Sequence, residues 1–122
     1  MKKVLIVDDS ATVRMYHRKI LTNMGFAVDE AVNGLEALEK SLCNKYDVFL
    51  VDINMPKMDG YRFVTELRAQ PDNANTPVVM ISTESETHDK DKAFAAGATS
   101  YMIKPTKPVE LHEFIKMVLD EE

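Results

Sequence analysis

The sequence predicts an α/β protein with one doubly wound, five-stranded parallel sheet and five helices. Short apolar runs rich in Val and Ile, such as residues 4–7 and 48–51, are typical of strands buried on both faces. Segments with helical spacing of apolar residues separate these runs, and this alternation favours right-handed crossovers between parallel strands. With 122 residues, the chain is predicted to form one domain over residues 1–122.

The first half of the chain is predicted to hold three strands and two helices. In chain order we expect a strand at 3–7, a helix at 11–24, a weaker strand at 27–31, a helix at 35–44 and a strand at 47–51. The apolar residues with helical spacing are Val13, Tyr16, Ile20 and Met24 in the first helix, and Leu35, Leu38 and Leu42 on one face of the second. Gly25 is a stop signal for the first helix, and Asn33–Gly34 indicates a turn before the second.

The second half is predicted to hold two strands and three helices. We expect a helix at 60–69, a surface loop at 70–76, a strand at 77–81, a helix at 86–96, a strand at 100–103 and a helix at 108–119. Asp59 is a candidate N-cap, and Gly97 ends the fourth helix. The inward residues are expected to be Phe63, Val64 and Leu67, then Ala93, Phe94 and Ala96, then Leu111, Phe114, Ile115, Val118 and Leu119. Because the fourth helix begins with a very polar stretch, we expect it to be the least anchored of the five.

Composition argues against several classes of function. The net charge of −5, without a face rich in Lys or Arg, disfavours direct nucleic-acid binding. Cys43 is the single cysteine, so no intrachain disulfide can form, and no apolar stretch approaches the length of a membrane span. We therefore expect a cytoplasmic protein. His17, His88 and His112 lack the spacing of metal ligands and are expected at surface or boundary positions.

Charged or hydroxyl side chains directly follow four of the apolar runs. Asp8 and Asp9 follow the first run, Asp52 the third, Ser82 the fourth and Lys104 the fifth. Because the carboxyl ends of parallel strands share one edge of a sheet, these side chains should converge. Clustered carboxylates repel one another and raise their pKa values unless a cation compensates. The set predicts a site for a hard divalent cation and a phosphoryl group.

These residues, together with the segment DINMPKMDG at 52–60, AGA at 96–98 and Lys104-Pro105, give the chain a family resemblance. It resembles the receiver domain of bacterial two-component response regulators over essentially its whole length. Within that family it is most similar to the single-domain, CheY-like chemotaxis regulators. The resemblance implies a flavodoxin-like (CheY-like) fold with strand order 2-1-3-4-5.

The resemblance also implies a role for each matching residue. Asp52 would be the phosphoacceptor, attacking phosphorus to give a 4-aspartylphosphate, while Ser82 and Lys104 would contact phosphoryl oxygens. The Mg²⁺ ligands would be the carboxylates of Asp8, Asp9 and Asp52 and the backbone carbonyl of Asn54. Such a protein catalyses its own phosphorylation and dephosphorylation and is not a turnover enzyme.

By the same resemblance, Ser82 and Tyr101 would form a switch that changes the face made by the fourth helix, the fifth strand and the last helix. Asn54 and Glu84 would set the lifetime of the phosphate, and Lys104-Pro105 would be a cis peptide. The implied partners are a CheA-like histidine kinase as donor, a flagellar motor protein or other target, and a possible phosphatase. Thr106 departs from the family pattern, because many receivers have an aromatic residue there.

Other functions fit the residues less well. Phosphohydrolases of the haloacid-dehalogenase family need a second Asp two residues after the nucleophile, and here Asn54 stands there. A flavodoxin-like cofactor carrier needs a phosphate cradle after the first strand, where Asp8-Asp9 would repel phosphate, and no dinucleotide-binding glycine motif follows a strand. Two alternatives stay open: a non-phosphorylated interaction domain, and a receiver cut from a longer regulator with a DNA-binding or other output.

Overall fold

The computed structural model describes residues 2–83 and 87–119 and contains one parallel sheet with helices on both faces. Its strands are β1 (Lys3–Val7), β2 (Ala27–Ala31), β3 (Val48–Asp52), β4 (Val78–Ser82) and β5 (Ser100–Ile103). Its helices are α1 (Ala11–Asn23), α2 (Gly34–Cys43), α3 (Gly60–Arg68), α4 (Thr87–Ala96) and α5 (Pro108–Leu119). The strand order β2-β1-β3-β4-β5 confirms the predicted fold class.

The sheet separates two apolar cores, as expected for a parallel sheet covered on both faces. All residues of β3 and β4 are buried. One core packs β1, β3 and β4 against α2, α3 and α4, with Phe49 and Phe63 among its largest members. The other core packs the opposite sheet face against α1 and α5, through residues such as Leu21 and Ile115. The strands are therefore held from both sides, and their ends form a fixed edge.

Element boundaries lie within one residue of the prediction. β3 and β4 each begin and end one residue later than expected, so Asp52 and Ser82 are the last residues of their strands. Asp59 caps α3 as predicted, since its side chain accepts a hydrogen bond from the backbone N–H of Arg62 at 2.9 Å. The predicted loop at 70–76 contains a short 3-10 helix, Pro71–Asn73. No helix in the described ranges is long and apolar enough to cross a lipid bilayer.

Some of the large apolar residues with helical spacing in α1 and α2 are exposed, and Tyr16 of α1 is 42% exposed. In α2, Leu35 and Leu42 are 46% and 72% exposed, while small residues face the interior. Gly34 is one of these, because a Cβ at that position would lie 2.8 Å from the Cγ of Met58. In α1 the buried residues are His17 and Leu21.

Two expectations about burial are wrong. His17 was expected at the surface or a boundary, yet it is 2% exposed, because a buried hydroxyl group from the other end of the chain pairs with its ring. Phe94 was expected to be buried in α4 and is 48% exposed, while its neighbour Ala93 supplies the buried contact of that helix. A small residue thus makes the inward contact of α4, as small residues do in α2.

Candidate functional site

The predicted site residues lie at the carboxyl edge of the sheet. Asp8 directly follows β1, Asp52 ends β3, Ser82 ends β4 and Lys104 directly follows β5. The Nζ of Lys104 lies 3.1 Å from Oδ2 of Asp8 and 3.1 Å from Oδ1 of Asp52. The backbone N–H of Lys104 donates to the carbonyl of Ser82 at 2.7 Å, which joins the ends of β4 and β5. The structure thus brings the ammonium group between two carboxylates from different strands.

Asp8, Asp9 and Asp52 form a carboxylate cluster that fits a hard cation. One oxygen from each lies within 4.8 Å of the others; Asp8 and Asp52 are buried, and Asp9 is exposed. The orientation of Asp8 is fixed by a 2.9 Å hydrogen bond that its Oδ1 accepts from the backbone N–H of Ser10. Three oxygen donors open to solvent on one side are the donor set that Mg²⁺ prefers. These three residues would hold the ion.

The electrostatics of Asp52 and Lys104 reflect this crowding. Burial, and then the negative charge of Asp8, raise the pKa of Asp52 to about 6, although Lys104 opposes the rise. Burial disfavours the charged form of Lys104, but the charges of Asp52 and Asp8 and their hydrogen bonds outweigh it, so its pKa is raised. At neutral pH the site therefore holds an ionised, unusually basic carboxylate beside a firmly protonated lysine.

The structure describes three of the other residues predicted to take part in the site or its switch, namely Asn54, Ser82 and Tyr101. Asn54 is exposed in the loop after β3. Ser82 and Tyr101 are buried, 1% and 7% exposed. The peptide between Lys104 and Pro105 is cis, as the resemblance implied. Glu84, the second residue predicted to set phosphate lifetime, lies outside the described residues.

Three residues of α1 support the site and were not assigned any part in it from the sequence. Arg14 donates from Nη1 to the backbone carbonyl of Asp8 at 2.7 Å. The hydroxyl of Tyr16 donates to the carbonyl of Thr106 at 2.5 Å, and Nε2 of His17 lies 2.7 Å from Oγ1 of Thr106. The one sequence feature that pointed toward these contacts was Thr106, because many members of the family have an aromatic residue there.

Burial lowers the pKa of His17 to about 4, against the opposing charge of Asp8. The raised pKa of Asp52 and the lowered pKa of His17 predict opposite effects of acid on the metal-free protein. The folded pKa of Asp52 lies above its ordinary 3.8, so its contribution to stability is fully present below that value and is lost as pH rises toward about 6. The folded pKa of His17 lies below its ordinary 6.5, so stability is lost as pH falls from there toward about 4.

Substitution should separate the two effects. Asp52→Asn removes the Asp52 contribution and keeps that of His17, so the unfolding free energy should fall more steeply on acidification than in the unchanged protein. In His17→Leu the slope should change in the opposite direction. Urea unfolding with a chelator present, across about pH 4 to 7, measures these slopes. Equal slopes in all three proteins would contradict both pKa shifts.

Comparisons with known proteins agree with this geometry. The sequence model of the response regulator receiver domain matches residues 4–116. The transcriptional regulatory protein ResD of Bacillus subtilis is 36% identical over 117 residues, which is 96% of this chain but only 48% of ResD. The chain thus spans about half the length of that relative.

Solved structures include close matches in fold. The chemotaxis protein CheY4 of Vibrio cholerae is 39% identical with a TM-score of 0.94, and the match covers 98% of this chain and 99% of that one. The receiver domain of the Pseudomonas aeruginosa sensor histidine kinase PA1611 is 25% identical with a TM-score of 0.91, over 97% of both chains. That structure has a magnesium ion coordinated in its active-site cleft.

Proposed function

This chain belongs to the response regulator receiver family, and we propose that it accepts a phosphoryl group on Asp52 from the phosphohistidine of a histidine kinase. The observation that carries the proposal is the position of Asp52, 3.1 Å from the Lys104 ammonium and clustered with Asp8 and Asp9. A basic carboxylate beside a fixed cation is the arrangement that attack on a charged phosphoryl group requires.

In the proposed reaction, a carboxylate oxygen of Asp52 forms a bond to phosphorus. The phosphorus–nitrogen bond of the donor breaks, and the leaving nitrogen keeps its electron pair. Lys104 keeps its proton and places its positive charge against a phosphoryl oxygen, and the Ser82 hydroxyl donates to another. Mg²⁺, held by Asp8, Asp9 and Asp52, would offset the negative charge that the transfer concentrates. Catalysis would come from positioning the reacting groups and stabilising their charge. We therefore propose a phosphoacceptor and not a turnover enzyme.

The consequence of phosphorylation would be a changed partner surface on α4, β5 and α5, driven by Ser82 and Tyr101. Exposed apolar side chains on these elements support a protein target: Phe94, Ile103, Val109 and Met117. We propose that Asn54 and Glu84 set how long the phosphorylated state lasts, and that a phosphatase partner can shorten it. The proposed setting is the cytoplasm, where Cys43 would stay reduced.

The proposed pathway is of chemotaxis type, with a CheA-like kinase as donor. The match to CheY4, which spans 99% of that chain, supports it. The similarity to ResD supports a second candidate, the receiver part of a larger transcriptional regulator. Phosphotransfer from purified kinases of the two classes distinguishes these candidates, because the cognate kinase should transfer much faster than the other.

Intact-mass measurement after incubation with acetyl phosphate tests the chemistry itself. We expect one phosphoryl adduct with Mg²⁺ present and none, or far less, with a chelator. Urea unfolding in parallel shows whether Mg²⁺ binds, because a ligand of the native state raises the unfolding free energy. A folded protein that binds Mg²⁺ and gains no adduct would instead favour an interaction domain that works without phosphorylation.

A further inference from the structure

We propose that His17 and Thr106 form a positioning pair that holds Lys104 between Asp8 and Asp52. The inference deepens the proposed phosphoryl transfer and rests on it for its kinetic test. Lys104 reaches the carboxylates through a long side chain, so the place of its ammonium depends on the backbone of the short segment between β5 and α5. Whatever fixes that segment also fixes the charge beside Asp52.

Two contacts tie this segment to α1. The Oγ1 of Thr106 lies 2.7 Å from Nε2 of His17, and the Thr106 carbonyl accepts a hydrogen bond from the Tyr16 hydroxyl at 2.5 Å. His17 and Thr106 are each 2% exposed, so water does not compete for the bond between their side chains. These contacts join residues 89 and 90 positions apart in the sequence. Both contacts are made by Thr106, which is two residues after Lys104 in the chain.

The side of this segment that faces α1 is only partly packed. A cavity of about 540 Å³ opens between α1 and the segment, bordered by Val13 and Tyr16 on one side and by Pro105 and Thr106 on the other. Thr106 stands where many family members have an aromatic ring, and its small side chain does not fill this space. The hydrogen bonds from α1 span this partly packed side and restrain the segment directly.

α1 also fixes the other partner of Lys104. Arg14 donates from α1 to the backbone carbonyl of Asp8, one turn before His17 contacts Thr106. One helix thus sets the distance between Asp8 and the segment that carries Lys104. The neutral state of His17, favoured by its burial, suits this role, because an uncharged ring needs no counter-ion and pairs with a hydroxyl.

Two substitutions of Thr106 test the pair. Thr106→Val keeps the shape and removes the hydroxyl, leaving Nε2 of His17 buried without its partner; Thr106→Ser keeps the hydroxyl. We expect Thr106→Val to slow labelling by acetyl phosphate at saturating Mg²⁺ by about three- to tenfold, the range that loss of one buried hydrogen bond implies. Thr106→Ser should stay close to the unchanged rate.

Thr99→Val is the matched control. Thr99 Oγ1 accepts a hydrogen bond from the backbone N–H of Val78 at 3.0 Å, at the opposite edge of the sheet. Its loss should lower the unfolding free energy in urea without slowing labelling. If Thr106→Val labels at the unchanged rate, or if Thr99→Val slows labelling as much as Thr106→Val does, the positioning role is wrong.

Lys104→Ala shows whether the pair acts through the lysine. A lysine-free protein should label slowly, and adding Thr106→Val should then change its rate little, because the group being positioned is gone. A purely structural role predicts that the two losses multiply, and that result would overturn the proposal.

Nitrogen-15 NMR of the Lys104 Nζ provides a readout that needs no phosphorylation. Thr106→Val should shift this signal as the ammonium leaves the two carboxylates, and Thr106→Ser should restore it. If the unchanged protein takes no label yet the signal shifts, the proposed function fails and the pair stands. An unshifted signal in Thr106→Val overturns the pair, whatever the labelling result.

Discussion

Replacing Asp52 with alanine or asparagine is expected to abolish the phosphoryl adduct. Asparagine has nearly the shape of aspartate but lacks a carboxylate oxygen that can attack phosphorus. The site offers two other carboxylates, but Lys104 and the Ser10 N–H already engage both oxygens of Asp8, and Asp9 is exposed. Burial and the nearby charge of Asp8 make Asp52 more basic than an ordinary carboxylate, and a more basic oxygen is a better nucleophile.

Intact mass and peptide mapping after treatment with acetyl phosphate and Mg²⁺ give the result. Asp47→Asn is the matched control, because Asp47 lies at the opposite edge of the sheet, where its Oδ2 accepts the Lys3 backbone N–H at 2.7 Å. It should retain the adduct. Asp52→Asn should be at least as stable as the unchanged metal-free protein at neutral pH, since it removes a buried charge from the cluster. An adduct in Asp52→Asn that maps to Asp8 or Asp9 would show that Asp52 is not the required phosphoacceptor.

The meeting of the site residues at one edge of the sheet could be predicted because it depends on the order and direction of the strands. Runs buried on both faces identify the strands, and a parallel sheet collects their carboxyl ends at one edge whatever the loops do. Asp52 and Ser82 follow directly from that argument, and so does the meeting of Lys104 with Asp8 from the two ends of the chain. The gathering of carboxylate, hydroxyl and ammonium groups at one edge of the sheet can therefore be predicted from the strand pattern, whereas the phosphoacceptor role proposed for Asp52 came from the family resemblance.

The supporting contacts could not be predicted in this way. His17 was expected at a surface or boundary position. Its burial could not be foreseen, because its partner, Thr106, lies 89 residues away and no local pattern links them. In α2 the leucines suggested an apolar face, but close approach to the segment after β3 requires small residues such as Gly34 there. Periodicity identifies a helix, whereas the distance between its axis and the sheet decides which side chains fit beneath it.

The start of α3 depends on the same kind of close approach, and Gly60→Ala is expected to be strongly destabilising. A Cβ at Gly60 would lie 2.6 Å from the carbonyl oxygen of Asp52 and 2.9 Å from Cα of Ile53. These are backbone atoms at the end of β3 and in the residue that follows it, and they cannot rotate away from the clash as a flexible side chain can. We expect a loss of about 3 kcal/mol in unfolding free energy, at the upper end for overpacking. Because the clash falls on Asp52 itself, labelling should slow as well.

Gly25→Ala is the matched control for this prediction. Gly25 has a φ of +93° and no atom within 4 Å of an added Cβ, so alanine there meets backbone strain but no clash. That strain should cost about 1 to 2 kcal/mol and leave labelling unchanged. Urea unfolding and the rate of adduct formation separate the two variants. Alanine within a helix gains up to about 1 kcal/mol over glycine where there is room for it. An equally stable or more stable Gly60→Ala protein would therefore mean that α3 can move away from β3, and that Asp52 is not held by this contact.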